Sequence, residues 1–111
     1  MTLRPSLAAV FLLTLTACAD ATGDIRLGMA GPFEEGFGAA NRRGAELAVA
    51  EINAAGGIGG RNLILDFRDD QGDGSRAATI AQEYVDNPAI IGVIGHVTSG
   101  AMVAAAKVYD G

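Results

Sequence analysis

Between Asp24 and Tyr109 the chain switches repeatedly from an apolar period of two to one near 3.6 and back, with glycine or proline near most switches. Few folds accommodate that alternation. Asp24 to Met29 predicts a strand with Ile25, Leu27 and Met29 on one face. A glycine-containing loop, Ala30 to Gly38, follows. Ala39 to Asn53 predicts a helix, because Ala45, Ala48, Val49 and Ile52 share one face. Ala54-Ala55-Gly56-Gly57 stops it, and Gly59-Gly60 turns the chain. Leu63 to Phe67 predicts a second strand, and Asp69 to Gly74 a solvated acidic loop. Ser75 to Asp86 predicts a second helix that buries Ala77, Ala78, Ile80, Ala81, Tyr84 and Val85, with Asp73 or Ser75 as its cap. Asn87-Pro88 breaks it. Ala89 to Ile94 predicts a nearly all-apolar strand covered on both faces. Gly95 to Gly100 is a loop, and Ala101 to Tyr109 a third helix. The expected fold class is α/β: right-handed crossovers give a parallel sheet with helices on both faces. Three strands and three helices bury little, so a longer sheet is expected, and this chain reads as part of one.

The residues before this pattern address the chain. Arg4 is a positive n-region and Leu7 to Leu15 a short apolar stretch, too short to span a bilayer. Leu15-Thr16-Ala17-Cys18 ends it, and Cys18 is the only cysteine. The pattern resembles a bacterial lipobox, which implies cleavage after residue 17 and lipidation of Cys18. Several acyl chains hold a protein to a membrane stably where one does not. The expected division is a signal peptide over 1–17, a tether over 18–23 and a receptor domain over 24–111. Localisation would then be the cell envelope, on the extracytoplasmic face of a membrane.

Charge and motifs narrow the function. Without Arg4, seven basic residues face thirteen acidic ones, and Arg42-Arg43 is the only basic pair, which argues against nucleic acid as a partner. Gly36-Phe37-Gly38-Ala39-Ala40-Asn41 begins like a dinucleotide fingerprint but ends in Asn41 after too long a loop. Gly56 to Arg61 lacks the lysine of a P-loop. Asp69 to Gly74 starts like a calcium loop, yet Gln71 takes a ligand position and Ile80 replaces the bidentate glutamate. His96 is the only histidine, so a structural hydrogen-bonding role is expected rather than metal ligation. No nucleophile elbow surrounds Ser99. No catalytic set, metal site or cofactor is expected, and the chain does not read as an enzyme.

A binding architecture remains. Ligands of open parallel sheets sit beyond the carboxyl ends of the strands. There Thr98 and Ser99 place hydroxyls just before a helix, whose free N–H groups and dipole favour a carboxylate. Capping by Thr98 or Ser99 is the simpler role and is compatible with the first.

Gly44-Ala45-Glu46-Leu47-Ala48-Val49 and Glu51-Ile52-Asn53-Ala54-Ala55-Gly56-Gly57-Ile58-Gly59-Gly60-Arg61 carry a family resemblance. Asp69-Asp70, Ile94-Gly95-His96 through Ser99, and Gly28 to Pro32 extend it. Together they resemble the type 1 periplasmic binding proteins of the leucine/isoleucine/valine-binding branch. The resemblance implies a two-lobed receptor that passes a small-molecule ligand to the membrane subunits of an ABC importer. It implies that Ser99, with Thr98 and Gly100 at the helix terminus, holds the ligand carboxylate and that Phe37 packs against the ligand. It implies that a disulfide found in some relatives is lost here, its positions falling on Gly72 and Thr98. Branched-chain amino acids are the nominal ligands; short amides or urea, and a role as a regulatory lipoprotein partner of envelope enzymes, are the alternatives. The chain covers the opening of the first lobe and holds no cleft, so residues 18–111 alone are expected to bind no ligand.

Overall fold

The computed structural model describes residues 22–34 and 36–111; Cys18 and the expected signal peptide lie outside the described residues. The elements run β1 (Ile25–Gly31), α1 (Gly36–Ala54), β2 (Leu63–Asp69), α2 (Gly74–Val85), β3 (Ile90–Ile94) and α3 (Ser99–Tyr109). The three strands form one sheet in the order β2-β1-β3, and both pairings are parallel. Ile25 to Gly31 pairs without interruption with Leu63 to Asp69, while the β1–β3 register shifts between Arg26 and Gly28.

Alternation along the strands assigns the two faces. Met29 pairs with Phe67, whose ring meets Phe33 edge-on at 5.5 Å and carries the Arg42 guanidinium of α1 at 4.8 Å. That is the α1 face. Gly28 and Ala30 point to the opposite face, where Ala30, Ile80 and Tyr84 pack with Ile90 and Val93. Gly28 is required there: a Cβ on it would lie 2.7–2.9 Å from the Tyr84 ring. The Tyr84 hydroxyl reaches the carbonyls of Asp66 (2.7 Å) and Met29 (3.2 Å), which fastens α2 to β1 and β2. Burial therefore raises the Tyr84 phenol above its ordinary range. α2 and α3 meet along a seam of Ala77, Ala81, Ala101 and Ala105, all fully buried. Each such methyl contributes only about 0.8 kcal/mol, so the seam depends on close helix approach rather than on side-chain bulk.

Four local expectations are corrected. α1 begins at Gly36, not Ala39, because its first turn tucks beneath Pro32; a Cβ on Gly38 would collide with the Pro32 carbonyl, so the glycines that read as loop are helical. Ala48 on α1 is exposed, and the buried residue of that helix is Gly38. Val85 is 54% exposed at the end of α2. β3 is not covered on both faces, since Ile91 is 70% and Ile94 47% exposed; among the described residues no element lies beyond it. The end of α1 follows the sequence closely. Gly57 donates to Ile52 O and Gly56 to Asn53 O, and both glycines have positive φ. The Asn53 side chain then exchanges two hydrogen bonds with the backbone of Leu63, which joins the end of α1 to the start of β2.

Candidate functional site

Three loops converge at the carboxyl ends of the strands: residues 32–34 after β1, 70–73 after β2 and 95–98 after β3. They come close because side chains are missing at the crossing points. A Cβ on Gly31 would lie 2.5 Å from Val97, and one on Gly95 would lie 2.3 Å from the Ala30 carbonyl. The third loop can therefore fold down against the end of β1.

α3 opens at this end. Thr98 is its N-cap by backbone geometry (φ −99, ψ 144) but makes no side-chain cap bond. Its Oγ1 is buried without a partner among the described residues. The sequence offered Ser99 or Thr98 as the cap; Ser99 is instead the first helical residue. Ser99 and Gly100 are exposed, so the first turn of α3 faces solvent with the N–H-rich terminus an anion would seek. α2 is capped differently. Asp73 Oδ1 accepts from the Arg76 N–H at 2.8 Å and the Ser75 hydroxyl at 2.6 Å. Those bonds, the one from Ser75 foremost, hold the Asp73 carboxyl below its ordinary value.

Phe37 lies on the first turn of α1 and is 62% exposed. It borders an open recess of about 480 Å³ with Pro32, Glu34, Gly36, Asp69 and Gln71. Phe37 and Ser99 thus occupy the same end of the sheet, in the first turns of different helices. Gly72 and Thr98, the positions implied to have lost a disulfide, are neighbours: a Cβ on Gly72 would lie 3.8 Å from Thr98 Cγ2.

The acidic loop is solvated at Gln71, Gly72 and Asp73, as its composition predicts, but not at Asp70. Asp70 is fully buried, with Oδ1 accepting from the Gly72 N–H at 2.8 Å and Oδ2 lying 2.7 Å from His96 Nδ1. His96 Nε2 lies 3.3 Å from the Tyr109 hydroxyl on the last turn of α3. The lone histidine has the structural role expected of it, but its partners could not be read from sequence, since Asp70 lies 26 residues before it. Burial raises the Tyr109 phenol. Among the described residues no cluster of His, Cys, Asp and Glu is arranged to hold a metal ion, and no helix is long and apolar enough to cross a membrane.

The sequence and fold are similar to those of known proteins. The family model described as "Periplasmic binding protein" matches residues 26–111. The chain is 39% identical over 93 residues to an "Amino acid binding protein" of Pseudomonas aeruginosa, covering 81% of this chain and 25% of that protein. It is 35% identical over 104 residues to "Leu/Ile/Val-binding protein homolog 1" of Brucella abortus, covering 94% of this chain and 28% of that one. An ABC transporter substrate-binding protein from Desulfitobacterium hafniense, solved in complex with Leu, superposes with a TM-score of 0.69 at 41% identity over 78% of this chain and 26% of its own. The chain spans about a quarter of the length of these relatives. With its parallel α/β sheet and the matched stretch running from β1 to the last residue, the chain belongs to the periplasmic binding protein family, a family of binders rather than enzymes.

Proposed function

We propose that this chain supplies the first part of the N-terminal lobe of an amino-acid receptor serving an ABC importer, and that it receives the ligand carboxylate at the start of α3. The observation that carries this reading is the exposed first turn at Ser99 and Gly100, which Thr98 leaves without a side-chain cap. A helix N-terminus stabilises an anion through its unpaired N–H groups and dipole, and the Ser99 hydroxyl adds a second kind of donor. Phe37 offers an apolar surface at the same end of the sheet. Branched-chain amino acids are the favoured ligands, because relatives are named for leucine, isoleucine and valine and one was solved with Leu. The partners of the receptor are the ligand and the importer's membrane subunits.

The same reading has the protein work outside the cytoplasm, held to a membrane through lipidated Cys18 and the tether 18–23. Two experiments test it. Calorimetry on the full-length protein should give saturable L-leucine binding that weakens on Ser99→Ala, whereas residues 18–111 alone should give none. Intact mass of membrane-extracted protein should start at Cys18 and carry acyl chains; a mass including residues 1–17, or lacking lipid, would remove the anchor from the account.

A further inference from the structure

We propose that the buried chain Asp70–His96–Tyr109 is a positioning device that sets the place of the α3 N-terminus, and through it the affinity of the carboxylate site. This rests on the reading of that terminus given above. The geometry is a cross-brace. Asp70 follows β2 directly, and its backbone N–H donates to Gly31 O at the end of β1 (3.2 Å). Its carboxylate holds the second loop through the Gly72 N–H and the third loop through His96. His96 is the midpoint of the short link between Ile94 and Ser99, and its other ring nitrogen meets Tyr109 at the far end of α3. Both ends of α3 are therefore referred to one side chain on the second loop.

The chain has one consistent proton arrangement with a neutral ring. A carboxylate only accepts, so the proton between Asp70 and His96 sits on Nδ1. Nε2 then presents a lone pair, and the Tyr109 hydroxyl donates to it. The side chains of Asp70 and His96 are both fully shielded from solvent, so neither exchanges these bonds for water. Such a satisfied buried network rigidifies what it joins. The need for rigidity is specific here: Thr98 makes no side-chain cap bond to fix the start of α3 locally, so that terminus depends on bonds made elsewhere.

The test compares affinity with stability in the full-length protein. Asp70→Ala should weaken L-leucine binding by about tenfold or more, because a site must be held to within a fraction of an ångström. Asp70→Asn should restore most of it: its Oδ1 still accepts from Gly72, and its amide can donate to the other histidine tautomer. Ile80→Val, in the core on the α2 face, supplies a control of lowered Tm whose affinity should be unchanged. Equal affinity of Asp70→Ala and Ile80→Val would overturn the proposal. If Asp70→Ala does not fold, Tyr109→Phe replaces it with a readout needing no ligand. In the free protein the amide resonances of Ser99 and Gly100 should move while those of mid-α1 stay, and unmoved signals would overturn the proposal. Should L-leucinamide bind as well as L-leucine, the carboxylate reading fails instead, and the amide resonances still judge the brace.

Discussion

Gly28→Ala isolates one packing contact and turns it into a sign change. Gly28 lies in the middle of β1 without a positive φ, so alanine fits its backbone. In an unobstructed strand the change would stabilise by about 0.4–1 kcal/mol, because the unfolded chain loses freedom. Here the added Cβ would lie 2.7 Å from Tyr84 Cζ and 2.8 and 2.9 Å from the two Cε atoms. The ring cannot withdraw without giving up the bonds from its hydroxyl to Asp66 and Met29. Overpacking of this kind costs about 1–3 kcal/mol. Tyr84→Leu removes the three ring atoms concerned, at a cost of about 2–4 kcal/mol for lost volume and the lost hydrogen bond. In that background Gly28→Ala should become neutral or stabilising, a coupling of about 2 kcal/mol. Urea unfolding of the four proteins, followed by far-UV circular dichroism, reads the cycle. Equal cost of Gly28→Ala in both backgrounds would refute the claim that Tyr84 dictates the glycine.

Three further predictions follow from the same structure. Asp73 titrates below its ordinary 3.8 in the folded state, so its cap stabilises α2 above that pH and is lost as pH falls through the lowered value. Asp73→Asn, which keeps a cap oxygen without a charge, should flatten the acid limb of stability; an unaltered limb would contradict this. Tyr84 and Tyr109 both titrate above 10.0, so folding is unaffected by them below pH 10 and weakens as pH rises beyond it, when the unfolded chain releases protons first. Phenolate absorbance should therefore appear with alkaline unfolding, and half-developed absorbance in folded protein at pH 10 would exclude it. Finally, Gly72→Cys combined with Thr98→Cys should form a disulfide, given the 3.8 Å approach at those positions. Closing that loop should stabilise by up to ~3.5 kcal/mol, less the strain of a cysteine at positive φ. Two free thiols after oxidation would count against the approach.

Much of the fold is legible in local chemistry. The switch from period two to period 3.6 locates all six elements, since each must bury one face. Gly56 and Gly57 end α1 as read, because a left-handed terminus needs them. The start of α1 was not legible: Gly36 and Gly38 look like loop residues, and only the Pro32 carbonyl over Gly38 shows why a glycine is helical there. Exposure of Val85, Ile91 and Ile94 was not legible either, because composition records that a residue is apolar and not what lies against it. At the site, Thr98 and Ser99 could be placed from their position before a helix, though not which of them would begin it. Asp70 was hidden most completely. An aspartate among Asp69, Gln71, Gly72 and Asp73 looks solvated, and its burial depends on a histidine and a tyrosine brought to it by the crossover.

The central claim is that the start of α3 holds a ligand carboxylate. Its most direct test is calorimetry of the full-length protein with L-leucine and with L-leucinamide, which differ only in that group, on wild type and Ser99→Ala. A hydrogen bond to a charged group is worth about 1.5–3 kcal/mol, so Ser99→Ala should weaken L-leucine by about 10- to 150-fold. L-leucinamide should bind wild type far more weakly than L-leucine and be nearly indifferent to Ser99. Binding of L-leucinamide as tight as that of L-leucine, or L-leucine affinity unmoved by Ser99→Ala, would contradict the account.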